Sequence, residues 1–285
     1  MGDFLVGKIK IVADSTCDLS GELIKKYDIS ILPLNVILGE ASYLDRTEIS
    51  AEEIFEWAER TGGKPKTAAT GIDTACSFLE RFKEFDTICF TVGANMSASY
   101  SVMSTAIQDS GVNAYVIDSQ SLSTGVALQM LRAADLAAEG KSKDEIISII
   151  EAERENIRAS FVIDTLEYLR RGGRCSALTA FAAGALSIKP RIVVSGGELS
   201  VGKKYRGRIG GAIERYIADI EPELRAARPE RVFITHTMRG RYEIEMVKRR
   251  IADMGYFGEI IETRAGGVIA SHCGPNTLGI LYSLK

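Results

Sequence analysis

Several common signals are missing from this chain, and each absence removes a class of function. Its five cysteines, Cys17, Cys76, Cys89, Cys175 and Cys273, are odd in number and never stand at C-x-x-C spacing. That argues against a disulfide framework or a zinc ribbon, and reduced thiols in a reducing compartment are the simpler reading. Two histidines without paired cysteines are too few for a His/Cys metal site, so neither metal nor cofactor is expected. There is no P-loop, no G-x-G-x-x-G, no G-x-S-x-G elbow and no H-E-x-x-H. A net charge of -3 leaves no basic footprint for nucleic acid. No apolar run approaches the roughly 20 residues of a membrane span, and MGDFLVGK at the start lacks the h-region and cleavage site of a signal peptide. No stable membrane insertion is expected, and the expected location is cytoplasmic.

What remains is ordinary globular composition: 285 residues, 46% hydrophobic and 26% charged. Strand and helix patterns alternate through the first half. Ile9, Ile11 and Val12 form a short buried-strand run, followed by the polar turn Asp14-Ser15-Thr16 and a helical face of Leu19, Leu23, Ile24 and Tyr27. Ser50 with Glu53, and Ser142 with Glu145, are capping-box signatures ahead of apolar helical faces. Asp86 to Val92 and Asn113 to Ile117 are further buried strands, each followed by small polar residues and a helix pattern. This rhythm predicts an α/β fold with a parallel sheet flanked by helices. Ligands in such sheets bind beyond the carboxyl ends of the strands, which draws attention to the turns 14–18, 93–99 and 118–125.

The second half reads differently. Arg191 to Tyr205 predicts a hairpin turning at Gly196-Gly197. Arg231 to Thr237 and Gly258 to Arg264 read as strands on either side of a helix around Ile244 to Met254, so a mixed sheet is expected. The composition shifts near Asn156 to Phe161 and suggests two α/β domains, 1–158 and 159–285.

Candidate chemistry gathers on hydroxyls and a few cations. Ser97, in Val92-Gly93-Ala94-Asn95-Met96-Ser97-Ala98-Ser99-Tyr100, leaves a strand and enters a helix, where free N–H groups favour an anion. Locally, a plain N-cap serine explains it better. Thr67, before the helix pattern at Ile72 to Phe82, has the same two accounts. His272 lies in a Gly-Pro turn region and suits a carboxylate or general-base chemistry, whereas His236 ends a buried strand and reads as structural. Arg206, with Arg208, follows the hairpin and has a guanidinium able to bind a carboxylate, or is simply solvated. Arg171 and Arg174, in Arg170-Arg171-Gly172-Gly173-Arg174, form a second basic turn.

Taken in order, these segments resemble the DegV family of bacterial fatty-acid-binding proteins. Asp14-Ser15-Thr16-Cys17-Asp18-Leu19 is similar to the family's D-S-T-x-D-L, Ile31-Leu32-Pro33-Leu34 to I-x-P-L, and Lys66-Thr67 to the start of K-T-S-Q-P. Met96 to Tyr100 resembles L-S-G-T-Y, and Asp164-Thr165-Leu166 through Arg171-Gly172-Gly173-Arg174 resembles the segment ending K/R-G-G-R. Lys189-Pro190, Lys204-Tyr205-Arg206 and His272 to Gly279 resemble K-P, K-x-R and H-x-G-P-G-T-L-G. Ala68-Ala69-Thr70-Gly71 stands where S-Q-P-S is expected, Ala98 follows Ser97 in place of glycine, and Asn276 replaces another glycine.

The resemblance implies a ligand tunnel between the two domains, holding one long-chain fatty acid. It implies a carrier rather than an enzyme, one that presents the carboxylate to a separate fatty-acid kinase for acyl-phosphate formation. Thr67 and Ser97 would hydrogen-bond the carboxylate, His272 would support it, Arg206 would lie nearby, and Arg171 and Arg174 would contact the kinase. Small residues from Leu178 to Ile188 would leave room for the chain. The alternatives are a Ser97/His272 acyl hydrolase and a sensor of a non-lipid small acid.

Overall fold

The computed structural model describes residues 8–173 and 188–285; Arg174, and Leu178 to Ile188 apart from Ile188 itself, lie outside them. The first half runs β1 (Ile9–Asp14), α1 (Gly21–Lys26), β2 (Ser30–Leu32), β3 (Asn35–Leu38), β4 (Ala41–Leu44), α2 (Ala51–Thr61), β5 (Lys66–Ala68), α3 (Ile72–Glu80), β6 (Asp86–Thr91), α4 (Ser99–Ser110), β7 (Ala114–Asp118), α5 (Thr124–Ala138) and α6 (Lys143–Glu153). Strands pair in the order β2-β1-β6-β7, all parallel, as the alternating pattern predicts. From β1 the chain moves to β2 on one side, then to β6 on the other. The switch point therefore lies between β1 and β6, where a ligand crevice is expected.

The second half runs β8 (Ile157–Val162), α7 (Glu167–Arg171), β9 (Ile188–Ser195), β10 (Glu198–Arg206), α8 (Ile209–Leu224), β11 (Arg231–His236), α9 (Tyr242–Asp253), β12 (Glu259–Arg264), α10 (Gly267–Cys273) and β13 (Leu278–Ser283). Its sheet has the order β10-β9-β8-β13-β11-β12. Only β11 and β12 pair in parallel; the other pairings are antiparallel, so the sheet is mixed. The β9–β10 hairpin turns at Gly196 and Gly197, both at positive φ (57 and 77°), a turn that side chains disfavour and that matches strand twist.

Side-chain alternation builds the layers. Val12, Cys89 and Val116 face α3 and α4, while Ile11, Ile88, Phe90 and Ile117 face α5. In the mixed sheet, Val162, Ile234 and Ile280 face α8 and α9; Phe161, Phe233 and Leu281 face the same core as α5. Helix α5 is thus packed between the two sheets. That explains why it carries buried residues all round, from Val126 to Leu131 without interruption, rather than a single stripe.

Both capping boxes form as read, with Ser50 and Ser142 accepting from the amides of Glu53 and Glu145. One element was not legible: a small antiparallel sheet, β4-β3-β5. It carries Thr67, which lies in β5 opposite Val36 and so is not the cap of α3, whose N-cap is Gly71.

Candidate functional site

A cavity of about 280 Å³ opens between the sheets. All three turns singled out beyond the parallel strands reach it, through Thr16, Ser97 and Ser123. The mixed sheet contributes Phe161, Thr235 and Leu281. Helix α10 runs along it and presents Val268, Ile269, His272 and Cys273, a spacing that keeps them on one helical face. Most of the wall is apolar, and the polar groups are hydroxyls and imidazoles.

Thr67, Ser97 and His272 all line this cavity and are partly buried. His272 Nε2 and Thr67 Oγ1 are 2.9 Å apart. Ser97 is not the helix cap; Ala98 occupies that position, without a side-chain cap bond. Instead Ser97 Oγ accepts the Ser99 amide (3.2 Å) and shares one hydrogen bond with the Ser99 hydroxyl (2.9 Å). The Ala68 and Ala69 that replace more polar family residues line the cavity beside Thr67.

Counting hydroxyl protons distinguishes these groups from Thr16, Ser123, Thr237 and Thr277 of the same wall. Thr16 donates to Asp14 (2.5 Å), Ser123 to Asp18 (2.6 Å), Thr237 to the Gly274 carbonyl (2.6 Å) and Thr277 to the Cys273 carbonyl (3.0 Å). These protons are committed. Ser97 and Ser99 have two hydroxyl protons for one shared bond. When the more deeply buried Ser99 donates, the Ser97 proton is left to face the cavity. Likewise, a His272 Nε2–H donating to Thr67 leaves the Thr67 proton for a ligand. The site can offer two O–H donors to an anion, each backed by a second donor.

His272 rests on Gly172: a Cβ there would come within 2.2 Å of His272 Nδ1. Glycine is required at this point by close approach and not by backbone angle. Gly274, at φ 76°, meets Tyr168 of α7 in the same way. The start of α10 is held by two buried carboxylates. Asp18 accepts the Gly266 amide (2.7 Å), and Asp45 accepts the Gly267 and Val268 amides (2.6 and 3.3 Å). Burial raises Asp18 to about 7 against the opposing pull of Arg46, whose guanidinium is 3.5 Å away. Burial also raises Asp14 and Asp45.

The other candidates lie elsewhere. Arg206, at the end of β10, is exposed and is not among the side chains lining the cavity. Arg171 ends α7, exposed and ion-paired with Glu167. His236 does line the cavity, a role its strand-end position did not reveal. Its Nδ1 accepts the Met238 amide (3.3 Å) and its Nε2 faces Glu262 (3.4 Å). Burial holds its pKa below the usual range. No hydrogen bond joins Ser97 to His272; each has the partner given above, so the pairing an acyl hydrolase needs is not formed. Among the described residues there is no cluster suited to a metal ion, and no helix is long and apolar enough to cross a membrane.

The family model for DegV proteins, described as an uncharacterised protein family, matches residues 8–285. The chain belongs to the DegV family. A DegV domain-containing protein of Caldanaerobacter subterraneus subsp. tengcongensis is 33% identical, over 98% of this chain and 99% of its own. A relative from Thermotoga maritima named a fatty acid-binding protein is 27% identical, over 95% and 96%. Among solved structures, a DegV family protein from Thermus thermophilus, described for its fatty acid binding, superposes with a TM-score of 0.89 at 27% identity, covering 98% of this DegV chain and all of that one (100%). The Thermotoga maritima and Thermus thermophilus proteins are named for fatty acid binding, not for catalysis.

Proposed function

We propose that this DegV protein carries one long-chain fatty acid in the cavity, with the carboxylate held by Thr67 and Ser97 and supported by His272. The observation that carries this reading is that Thr67 pairs with His272 and Ser97 with Ser99 on the wall of one mostly apolar cavity, which leaves each hydroxyl able to turn its proton to a ligand. A buried carboxylate needs such donors, because an unpaired charge in an apolar site is very costly. The acyl chain supplies the driving force: about sixteen methylene groups at roughly 0.8 kcal/mol each give about 12 kcal/mol before association costs. Relatives named for fatty acid binding at 27% identity support the same ligand class.

In this reading residues 1–158 and 159–285 are the two units that enclose the ligand in the cytoplasm. The loaded protein offers the carboxylate to a separate kinase for acyl-phosphate formation. Arg206 serves that step as an exposed cation, and the Arg171 to Arg174 turn meets the kinase. The support for this part is the motif resemblance and the seat of Gly172 against the ring of His272, one of the residues proposed to hold the carboxylate.

Lipid extraction and native mass spectrometry of the purified protein should find one bound acyl chain. Thr67→Ala and Ser97→Ala should each weaken binding by about 1.5–3 kcal/mol, the worth of a hydrogen bond to a charged group. Protein that is free of lipid and ignores added fatty acids, or a double variant with unchanged affinity, would sink the proposal.

A further inference from the structure

The same proton count marks one more position, and nothing about the carboxylate explains it. Thr235 lines the cavity from β11. Its Oγ1 is 2.7 Å from Thr124 Oγ1 and 3.0 Å from Thr263 Oγ1. Three hydroxyls therefore share two hydrogen bonds, and one proton is left over. Thr124 and Thr263 are packed away from the cavity, at 0% and 4% exposure, and neither lines it. Stranding the extra proton on either would leave a donor unsatisfied in dense packing. Thr235 Oγ has two lone pairs and can accept from both neighbours. The arrangement that wastes least is the one in which Thr124 and Thr263 donate inward and the Thr235 proton faces the cavity.

This donor is not part of the head-group pairs: its partners are Thr124 and Thr263, whereas Thr67 meets His272 and Ser97 meets Ser99. The end of β11 meets both ends of α10, since the Ala265 amide bonds the carbonyl of His236 (3.0 Å) and Thr237 Oγ1 donates to the Gly274 carbonyl (2.6 Å). A ligand anchored at Thr67 and Ser97 and filling the cavity would pass Thr235 with its chain. An unadorned polymethylene there offers the hydroxyl no acceptor, and a buried donor without one is unfavourable.

We propose that Thr235 forms a second polar station in the cavity and favours acyl chains carrying an oxygen acceptor, a hydroxyl or keto group, part-way along. The proposal rests on the fatty-acid reading above and specifies its ligand class.

The test is competition binding on the full-length protein, using stearic acid and a positional series of monohydroxy- and oxostearic acids. The quantity read is the affinity of each acid relative to stearic acid within the same protein. At least one positional isomer should bind about fivefold more tightly than stearic acid, the worth of one neutral hydrogen bond. Thr235→Val should abolish that ratio, and Thr235→Ser, which keeps the hydroxyl, should retain it. If stearic acid binds and no isomer exceeds it, or if the preference survives in Thr235→Val, the station is overturned while the carrier stands. If neither stearic acid nor any isomer binds, the carrier reading falls and the station with it.

Discussion

At the scale of single residues, the head-group site depends on a contact between two segments a hundred residues apart. Gly172 leaves room for the His272 ring, and His272 in turn meets Thr67. A methyl group at position 172 would collide with the ring and disturb its hydrogen bond to Thr67. Gly172→Ala should therefore lower acyl affinity by about 1–1.5 kcal/mol, the worth of one hydrogen bond. Because both substitutions act on one bond, Gly172→Ala and Thr67→Ala should combine less than additively in titration calorimetry. Full additivity would show that the glycine acts elsewhere. The sequence presented Gly172 and His272 as separate motifs, and only the fold joins them. Ser97 was half legible: its hydroxyl does meet an amide at the entry of α4, but one residue earlier than a cap, which keeps it on the cavity. Asn276 stands where the family has glycine because that position is left-handed, at φ 58°, a conformation asparagine tolerates.

Among the elements, α10 matters most, since it carries His272 and lines the cavity. Its first amides are held by Asp18 and Asp45, and Asp18 has a pKa near 7 where 3.8 is ordinary. The sign follows from proton binding: between about pH 4 and pH 7 the folded protein keeps a proton that the unfolded chain has released. Asp18 thus contributes stability that is complete below pH 4 and is lost as pH rises through 7. Asn at position 18 cannot titrate. The urea midpoint of the parent protein should fall relative to that of Asp18→Asn as pH rises across this window. Parallel profiles would mean that Asp18 stays ionised when folded. Local signals were the legible ones here. Each capping box declares itself within four residues, whereas β5 is three residues long and finds its partner β3 some thirty residues back. Such a strand leaves no periodicity to read, so from the sequence Thr67 looks like a cap of the helix that follows.

For the whole molecule, the two halves were legible as a parallel and a mixed sheet because strand, turn and helix recur in the first and a hairpin interrupts the second. Their union was not legible. It depends on α5, whose first half is buried on every side, so that no stripe says which sheet it covers, while the polar Arg132 and Asp135 come only in its second half. Met130 and Leu131, fully buried, belong to one core with Ile88 and Phe90 of the parallel sheet and Phe161 and Phe233 of the mixed sheet. A core shared in this way couples the halves: neither sheet keeps its inner face covered if α5 leaves. Met130→Ala should cost about 2–5 kcal/mol, as large-to-small core changes do. The parent protein should unfold in a single transition despite having two sheets. Trp57, the one tryptophan, packs with the small sheet in the first half, and far-UV circular dichroism reports on the whole chain. Their urea curves should coincide in both proteins and shift together in the variant. Separate midpoints, or a shift confined to one probe, would show that the halves fold apart and that the cavity lies between independent bodies.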